Sequence, residues 1–156
     1  MGKIIISKIS FSELVFSDKK SGDYVQLPRV DSWPIDETLS FIAHDSMLAK
    51  RVVLVSEDEA YNINTLRYYS VLKKQNLNII SASYSDYTSS YQSLKKILDG
   101  SDYILMKMEG IPGPTQLNKS KNLVLNNLDY EKWKVLPNNI KLPDGGYLLI
   151  FKSNVN

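Results

Sequence analysis

The chain contains no cysteine and a single histidine in 156 residues. Without thiols, disulfides, thiol nucleophiles and Cys-based zinc or iron–sulfur centres are excluded. The absence leaves the redox compartment open, because a disulfide-free domain works on either side of a membrane. One histidine cannot build a His-rich metal site within one chain. A Ser-His-Asp triad would have to use His44, which lies in an amphipathic helical stretch with no nucleophile motif nearby. His44 is therefore read as a surface or helix-end residue. Long apolar runs are also missing, and nothing approaches the ~20 residues that span a bilayer. A signal peptide is not expected, since Lys3 is followed by only three isoleucines before Ser7 and Lys8.

Charge of one sign is scarce as well. Nineteen basic residues face 17 acidic ones, a net charge of +2, too balanced to argue for a nucleic-acid partner. The pairs Lys19-Lys20, Lys73-Lys74 and Lys95-Lys96 are scattered and read as solvated faces. The apolar fraction of 43% and charged fraction of 23% are those of an ordinary globular protein. A domain of this length buries roughly two-thirds of its unfolded-chain surface and needs no covalent or metal staple. Residues 1–156 are expected to form one α/β domain, with lead-in strands over 1–30 and a core over 31–152.

Along the chain, Lys3 to Phe16 reads as two short strands, followed by a polar turn from Asp18 to Asp23 and an extended stretch from Val25 to Ser32. A helix follows Ser32, its expected cap, with Pro34 in the first turn and Asp36 and Glu37 where the helix dipole favours negative charge. Ile35, Leu39, Ile42 and Ala43 give it one buried stripe. Val52-Val53-Leu54-Val55 is a continuous β-branched run, the sign of a strand covered on both faces. The next helix starts at Asn62, a suitable cap, and carries Ile63, Leu66, Tyr69 and Leu72. A strand around Ile79 and Ile80 follows, then a helix with Tyr91, Leu94, Ile97 and Leu98. Gly100 suits the left-handed position after that helix. Asp102 to Met108 is a further strand, Thr115 to Asn126 a more polar helix, and Pro143-Asp144-Gly145-Gly146 a strong turn before the closing strand Tyr147 to Phe151. Alternating strands and helices predict a three-layer fold, a mainly parallel sheet flanked by helices, with a C-terminal antiparallel hairpin. The strands Val52–Val55, Ile79–Ser83 and Tyr103–Met106 are expected to be adjacent and central.

In such a sheet, ligands bind beyond the carboxyl ends of the strands. Two loops qualify. Ser56 to Asn64 offers Glu57, Asp58, Glu59, Tyr61, Asn62 and Asn64. Its carboxylates suit a cation or paired sugar hydroxyls, with Tyr61 stacking on the ring. The plainer reading, which the residues favour, has Asn62 capping the helix and the acids solvated. In the second loop, Lys107 and the glycines of Gly110-Ile111-Pro112-Gly113-Pro114 could receive a phosphate. That loop lacks the spacing of a nucleotide-binding motif, and its prolines remove donors, so a structural role is favoured. A dinucleotide site is not expected, because no glycine opens the helix after Val55. A methyltransferase fits the topology and the turn Leu142-Pro143-Asp144-Gly145-Gly146, but lacks the glycine-rich loop after its first strand. Any ligand contact is expected around Asp58, Tyr61, Asn62, Asn64 and Lys107. No catalytic residue, metal site or cofactor is expected. Ten tyrosines stand against four phenylalanines, and Tyr61, Tyr68, Tyr69, Tyr84, Tyr87 and Tyr91 cluster in sequence. Such rings with wet tips serve interfaces and sugar grooves, and equally helix–sheet boundaries, the reading favoured here.

Three blocks together resemble a known family. They are Asp31-Ser-Trp-Pro-Ile-Asp-Glu-Thr-Leu-Ser-Phe-Ile, then Val52-Val-Leu-Val-Ser-Glu-Asp-Glu-Ala-Tyr-Asn-Ile-Asn-Thr-Leu-Arg-Tyr-Tyr, and Asp102-Tyr-Ile-Leu-Met-Lys, echoed by Leu142-Pro-Asp-Gly-Gly-Tyr-Leu-Leu-Ile-Phe-Lys. From Asp31 to Lys152 the chain resembles the soluble C-terminal region of bacterial multi-spanning glycosyltransferases, akin to dolichyl-phosphate-mannose protein mannosyltransferases and aminoarabinose transferases. The resemblance implies an appendage on the extracytoplasmic face, whose partners would be the membrane-embedded part of the parent and a sugar or polyprenyl-phosphate sugar. In that family the chemistry uses acidic residues near the membrane-spanning helices, and none of these positions lies in this chain. The isolated chain is thus not expected to be catalytic. The competing class is a free-standing cytoplasmic Rossmann-like protein that binds a small molecule or a partner.

Overall fold

The computed structural model describes residues 33–44, 48–58, 60–83, 90–111, 118–137 and 139–154. The expected lead-in strands, the Ser32 cap, Tyr84, Tyr87 and Glu59 lie outside them. The described elements are α1 (Ile35–Ala43), β1 (Lys50–Leu54), α2 (Ile63–Leu72), β2 (Leu77–Ser81), α3 (Tyr91–Leu98), β3 (Tyr103–Met108), α4 (Lys119–Asn127), β4 (Trp133–Val135), β5 (Ile140–Lys141) and β6 (Tyr147–Ser153).

The apolar runs become strands because each strand alternates its side chains between two covered faces. Val52 and Leu54 of β1, Tyr103 and Leu105 of β3, and Leu148 and Ile150 of β6 meet α1 and α2 through Leu39, Ile42 and Leu66. On the other face, Val53, Val55, Ile104, Met106 and Phe151 meet α3 and α4 through Leu94, Ile97, Leu98 and Val124. The result is the three-layer α/β fold that the alternation predicts.

The sheet order is β2-β1-β3-β6-β4, with β5 also pairing β6. β1 pairs in parallel with β2 and with β3, while β6 runs antiparallel to β3, β4 and β5. Only β6 therefore opposes the common strand direction among the described strands. β4 and β5 lie along the same side of β6 and act as one interrupted edge strand. Val135 faces Phe151 and Ile140 faces Leu148, so the register along β6 shifts by two residues between the two pairings, a bulge in the edge. The Leu136 N–H to Ile150 carbonyl bond, 2.9 Å, keeps a rung within this bulge.

The expectation that three strands are central holds for β1 and β3 and fails for β2, which is marginal among the described strands. After β2 the chain passes back across β1 through α3, so β3 pairs with the opposite side of β1. The exposed Asn78 and half-buried Leu77 and Ile80 of β2 mark its thinner cover. This reversal makes the β1/β3 boundary a topological switch point, where a doubly wound sheet opens a crevice at its carboxyl edge.

The helix ends differ in detail from expectation. Pro34 stands just before α1, at its N-cap, and its carbonyl accepts from both the backbone N–H and the hydroxyl of Thr38. Asn62 caps α2 as predicted, its Oδ1 accepting from Thr65 N–H at 3.0 Å. Gly100 does not adopt the left-handed conformation predicted for it, since α3 continues right-handed into Asp99 and Ser101 N–H closes on Leu98. A Cβ at Gly100 would stand 2.8 Å from Arg51 Nη1. His44 follows the last residue of α1 and is exposed, a helix-end histidine.

Replacing Asn62 by Ala is expected to lower the unfolding free energy by about 1 kcal/mol. Asn64→Ala, two residues further on and exposed, should stay within about 0.5 kcal/mol of the parent. Urea titrations of both variants check the cap assignment, and equal losses would refute it.

Candidate functional site

The loop that leaves β1 does not splay into solvent. Ser56, Glu57 and Asp58 are buried, continuing the covered run of Val52–Val55. Ser56 Oγ accepts from Lys107 N–H at 2.7 Å and donates to the Lys107 carbonyl, so this side chain extends the β1–β3 pairing by one rung. Glu57 reaches the start of α2. One carboxylate oxygen accepts from Ile63 N–H at 2.9 Å, and the other accepts from the Ser81 hydroxyl at the end of β2. An anionic side chain at a helix N-terminus is favoured by the unpaired N–H groups there. The Glu57 carbonyl receives the Asn118 amide, which ties in the start of α4.

Asp58 makes a tight turn and an ion pair. Its Oδ1 accepts from Ala60 N–H at 2.9 Å and Tyr61 N–H at 2.6 Å. Its Oδ2 lies 2.5 Å from Lys107 Nζ. The Lys107 ammonium also reaches Asp144 Oδ2 at 2.5 Å and the Ile111 carbonyl at 2.9 Å. An ammonium has three N–H donors, and all three are thereby engaged. Nζ also stands 5.4 Å from the centre of the Trp33 ring, a cation–π distance. The Lys107 side chain is 7% exposed and that of Asp144 0%.

Asp144 belongs to the turn between β5 and β6. Its carboxylate also accepts from Ile111 N–H and Gly146 N–H, each at 3.1 Å. Burial pushes the Asp144 carboxyl upward, but the Lys107 and Gly146 hydrogen bonds, the Lys107 charge and the Ile111 N–H outweigh it. The group titrates below its ordinary value. Close backbone packing holds the turn in place. A Cβ at Gly146 would stand 2.8 Å from the carbonyl oxygens of Met108 and Glu109.

Of the five residues predicted to contact a ligand, the structure joins Asp58 to Lys107 and places Tyr61 beside them. Tyr61 is not a stacking platform. Its ring is fully buried beneath α1, 6.5 Å from the Trp33 ring. Burial pushes its phenol strongly upward, with nearby Thr38 lowering it and the Asp58 charge raising it. Among the described residues the hydroxyl closes no hydrogen bond of normal geometry, and the indole N–H of Trp33 likewise finds no partner there. Asn62 serves as a helix cap, and Asn64 is exposed on α2. The favoured expectation of solvated acids is corrected for Glu57 and Asp58, which are buried because partners far along the chain meet them. In this state the three donors of Lys107 are taken by the protein's own oxygens, those of Asp58, Asp144 and the Ile111 carbonyl. Sequence reasoning missed Asp144. Its only signal was the Pro-Asp-Gly-Gly turn, which reveals a turn and not where the Asp side chain points. Among the described residues no cluster of His, Cys, Asp and Glu could hold a metal ion.

No protein-family model and no curated protein matches this chain. Among solved structures it is similar to a candidate methyltransferase from Streptococcus mutans in complex with SAH. The two are 13% identical with a TM-score of 0.36, over 79% of this chain and 99% of that one. Similarity at that level transfers neither activity nor ligand.

The Asp144 carboxyl gives stability a defined acid limb. Above its ordinary value of 3.8, folded and unfolded states are both ionised and the stabilisation is complete. As pH falls through that value, the unfolded state takes up its proton first and the contribution is lost. Asp144→Asn should be less stable than the parent at pH 7 yet lose less on acidification from pH 5 to 3. Thermal midpoints across that range check this, and parallel acid limbs would contradict it.

Proposed function

We propose that this chain is a non-catalytic domain of a membrane glycosyltransferase, standing at the extracytoplasmic face beside the membrane-embedded part of its parent. One observation supports the non-catalytic part above all. The switch-point crevice, where a doubly wound sheet would bind its ligand, is filled by Asp58, Lys107 and Asp144. Groups that could have acted on a substrate are spent on holding loops together. The assignment to a glycosyltransferase rests on the three sequence blocks and their order. No helix among the described residues is long and apolar enough to cross a membrane, so in this reading the parent's spanning helices lie elsewhere. The domain would support the parent or help to place sugar or acceptor at its surface. The β1/β3 switch point favours one second reading, a free-standing cytoplasmic protein that binds a small molecule at that edge.

Two measurements test the proposal. Purified protein incubated with a polyprenyl-phosphate sugar should neither hydrolyse nor transfer it, whereas turnover abolished by Asp58→Asn would overturn the non-catalytic reading. The genomic reading frame around this segment should encode several apolar stretches of about 20 residues. A frame that encodes no such stretch would favour the free-standing alternative.

A further inference from the structure

The contacts of Asp144 are those of a bound anion. Its carboxylate meets a buried ammonium, Lys107 Nζ, and the backbone N–H groups of Ile111 and Gly146. The chain bends specially to make this possible. Glu109 and Gly110 take successive left-handed conformations, φ 53° and 72°. A non-glycine residue there is uncommon, and such conformations gather at ligand clamps. Gly110 leaves the space the carboxylate fills, since a Cβ would stand 2.7 Å from both Asp144 oxygens. Lys121 on α4 lies within electrostatic reach of this cradle. Burial and the Lys107 charge push its ammonium downward, with Glu109 opposing.

The carboxylate arrives on a hairpin turn, and that turn borders an open cavity of about 360 Å³. Asn139, Lys141, Gly145 and Tyr147 line it, with Lys141 exposed. The volume lies within the range of small-molecule sites. Gly145 and Gly146 flank Asp144 and also form a wall of this cavity. Asp144 does not line the cavity and its side chain is fully buried, so an anionic group entering here reaches the Lys107 cradle only by moving that side chain aside.

We propose that Lys107, Ile111 N–H and Gly146 N–H form an oxyanion site, filled in this state by Asp144 as an internal ligand. A small molecule bearing a phosphate or carboxylate group takes that place by displacing the Asp144 side chain, its body resting in the hairpin cavity. The inference stands apart from the choice between an appended and a free-standing domain, since it requires neither a membrane nor a parent enzyme.

The test uses the whole chain with inorganic phosphate and, separately, acetate as probes. Thermal midpoints and amide resonances of Ile111 and Gly146 are followed. Asp144→Ala should be stabilised saturably by at least one anion, with both resonances moving. The parent should need at least about tenfold more anion, because a tethered carboxylate competes at millimolar effective concentration or above. The double variant Lys107→Met/Asp144→Ala should not respond. A response to phosphate alone assigns a phosphate ligand, one to acetate alone a carboxylate, and one to both the shared oxyanion chemistry. If Asp144→Ala does not fold, Asp144→Asn, which retains a turn-forming side chain without the charge, must show the same gain. The proposal is overturned if the variant that folds responds no more than the parent, or if the response survives Lys107→Met.

Discussion

A single ammonium group, Lys107 Nζ, sets how the carboxyl edge of the sheet is closed. It draws together Asp58 from the loop after β1, Asp144 from the β5–β6 turn, the Ile111 carbonyl from its own loop and the Trp33 ring from the approach to α1. These segments are distant in the chain and would otherwise diverge where the parallel strands end. Each connects to more than Lys107. Asp58 shapes the turn into Tyr61, whose ring fills the core under α1, and neighbouring Glu57 anchors α2 and the end of β2. Asp144 fixes the turn that delivers β6 against β3. Burying charges is costly, and an ion pair so placed contributes little net stability over a well-packed apolar alternative. What it supplies is a specified arrangement, because any loop conformation that separates the partners strands a charge away from water.

The same closure governs the functional reading. A doubly wound sheet ordinarily offers its crevice at the point where strand order reverses. Here that point carries the expected polar groups, and they face one another. Two carboxylates share one ammonium, so the group as a whole keeps a negative charge. An approaching anion would have to replace a carboxylate, whereas a neutral sugar would find no donor to spare on Lys107.

Much of this fold is legible in the sequence. The runs Val52–Val55 and Tyr103–Met106 are apolar on both faces and form β1 and β3, and Asn62 caps α2 as its position suggests. The Pro143–Gly146 turn and the strand after it also follow from local chemistry. What escapes local reading is pairing over distance. β2 has the composition of an inner strand, yet its place is set by which side of β1 the next crossover takes. Glu57 and Asp58 sit in a run of acids that ordinarily marks a solvated loop, and burial is tolerable because Ile63 N–H and the Ser81 hydroxyl meet Glu57 while a lysine 49 positions on meets Asp58. The ligand-facing role expected of Tyr61 fails for a related reason. A tyrosine beside a helix cap looks accessible until α1 is laid across it. Of the five residues expected to meet a ligand, Asp58, Tyr61 and Lys107 are buried together at the β1/β3 boundary, while Asn62 caps α2 and Asn64 stays exposed.

The claim that Lys107 organises this edge is tested most directly by urea unfolding of Lys107→Met beside the triple variant Asp58→Asn/Lys107→Met/Asp144→Asn. Removing the ammonium alone leaves two buried carboxylates unpaired and should cost about 3–5 kcal/mol. Neutralising all three positions removes the stranded charges, so the triple variant should recover a large part of that loss. A Lys107→Met protein within about 0.5 kcal/mol of the parent, or a triple variant less stable than the single one, would contradict the account.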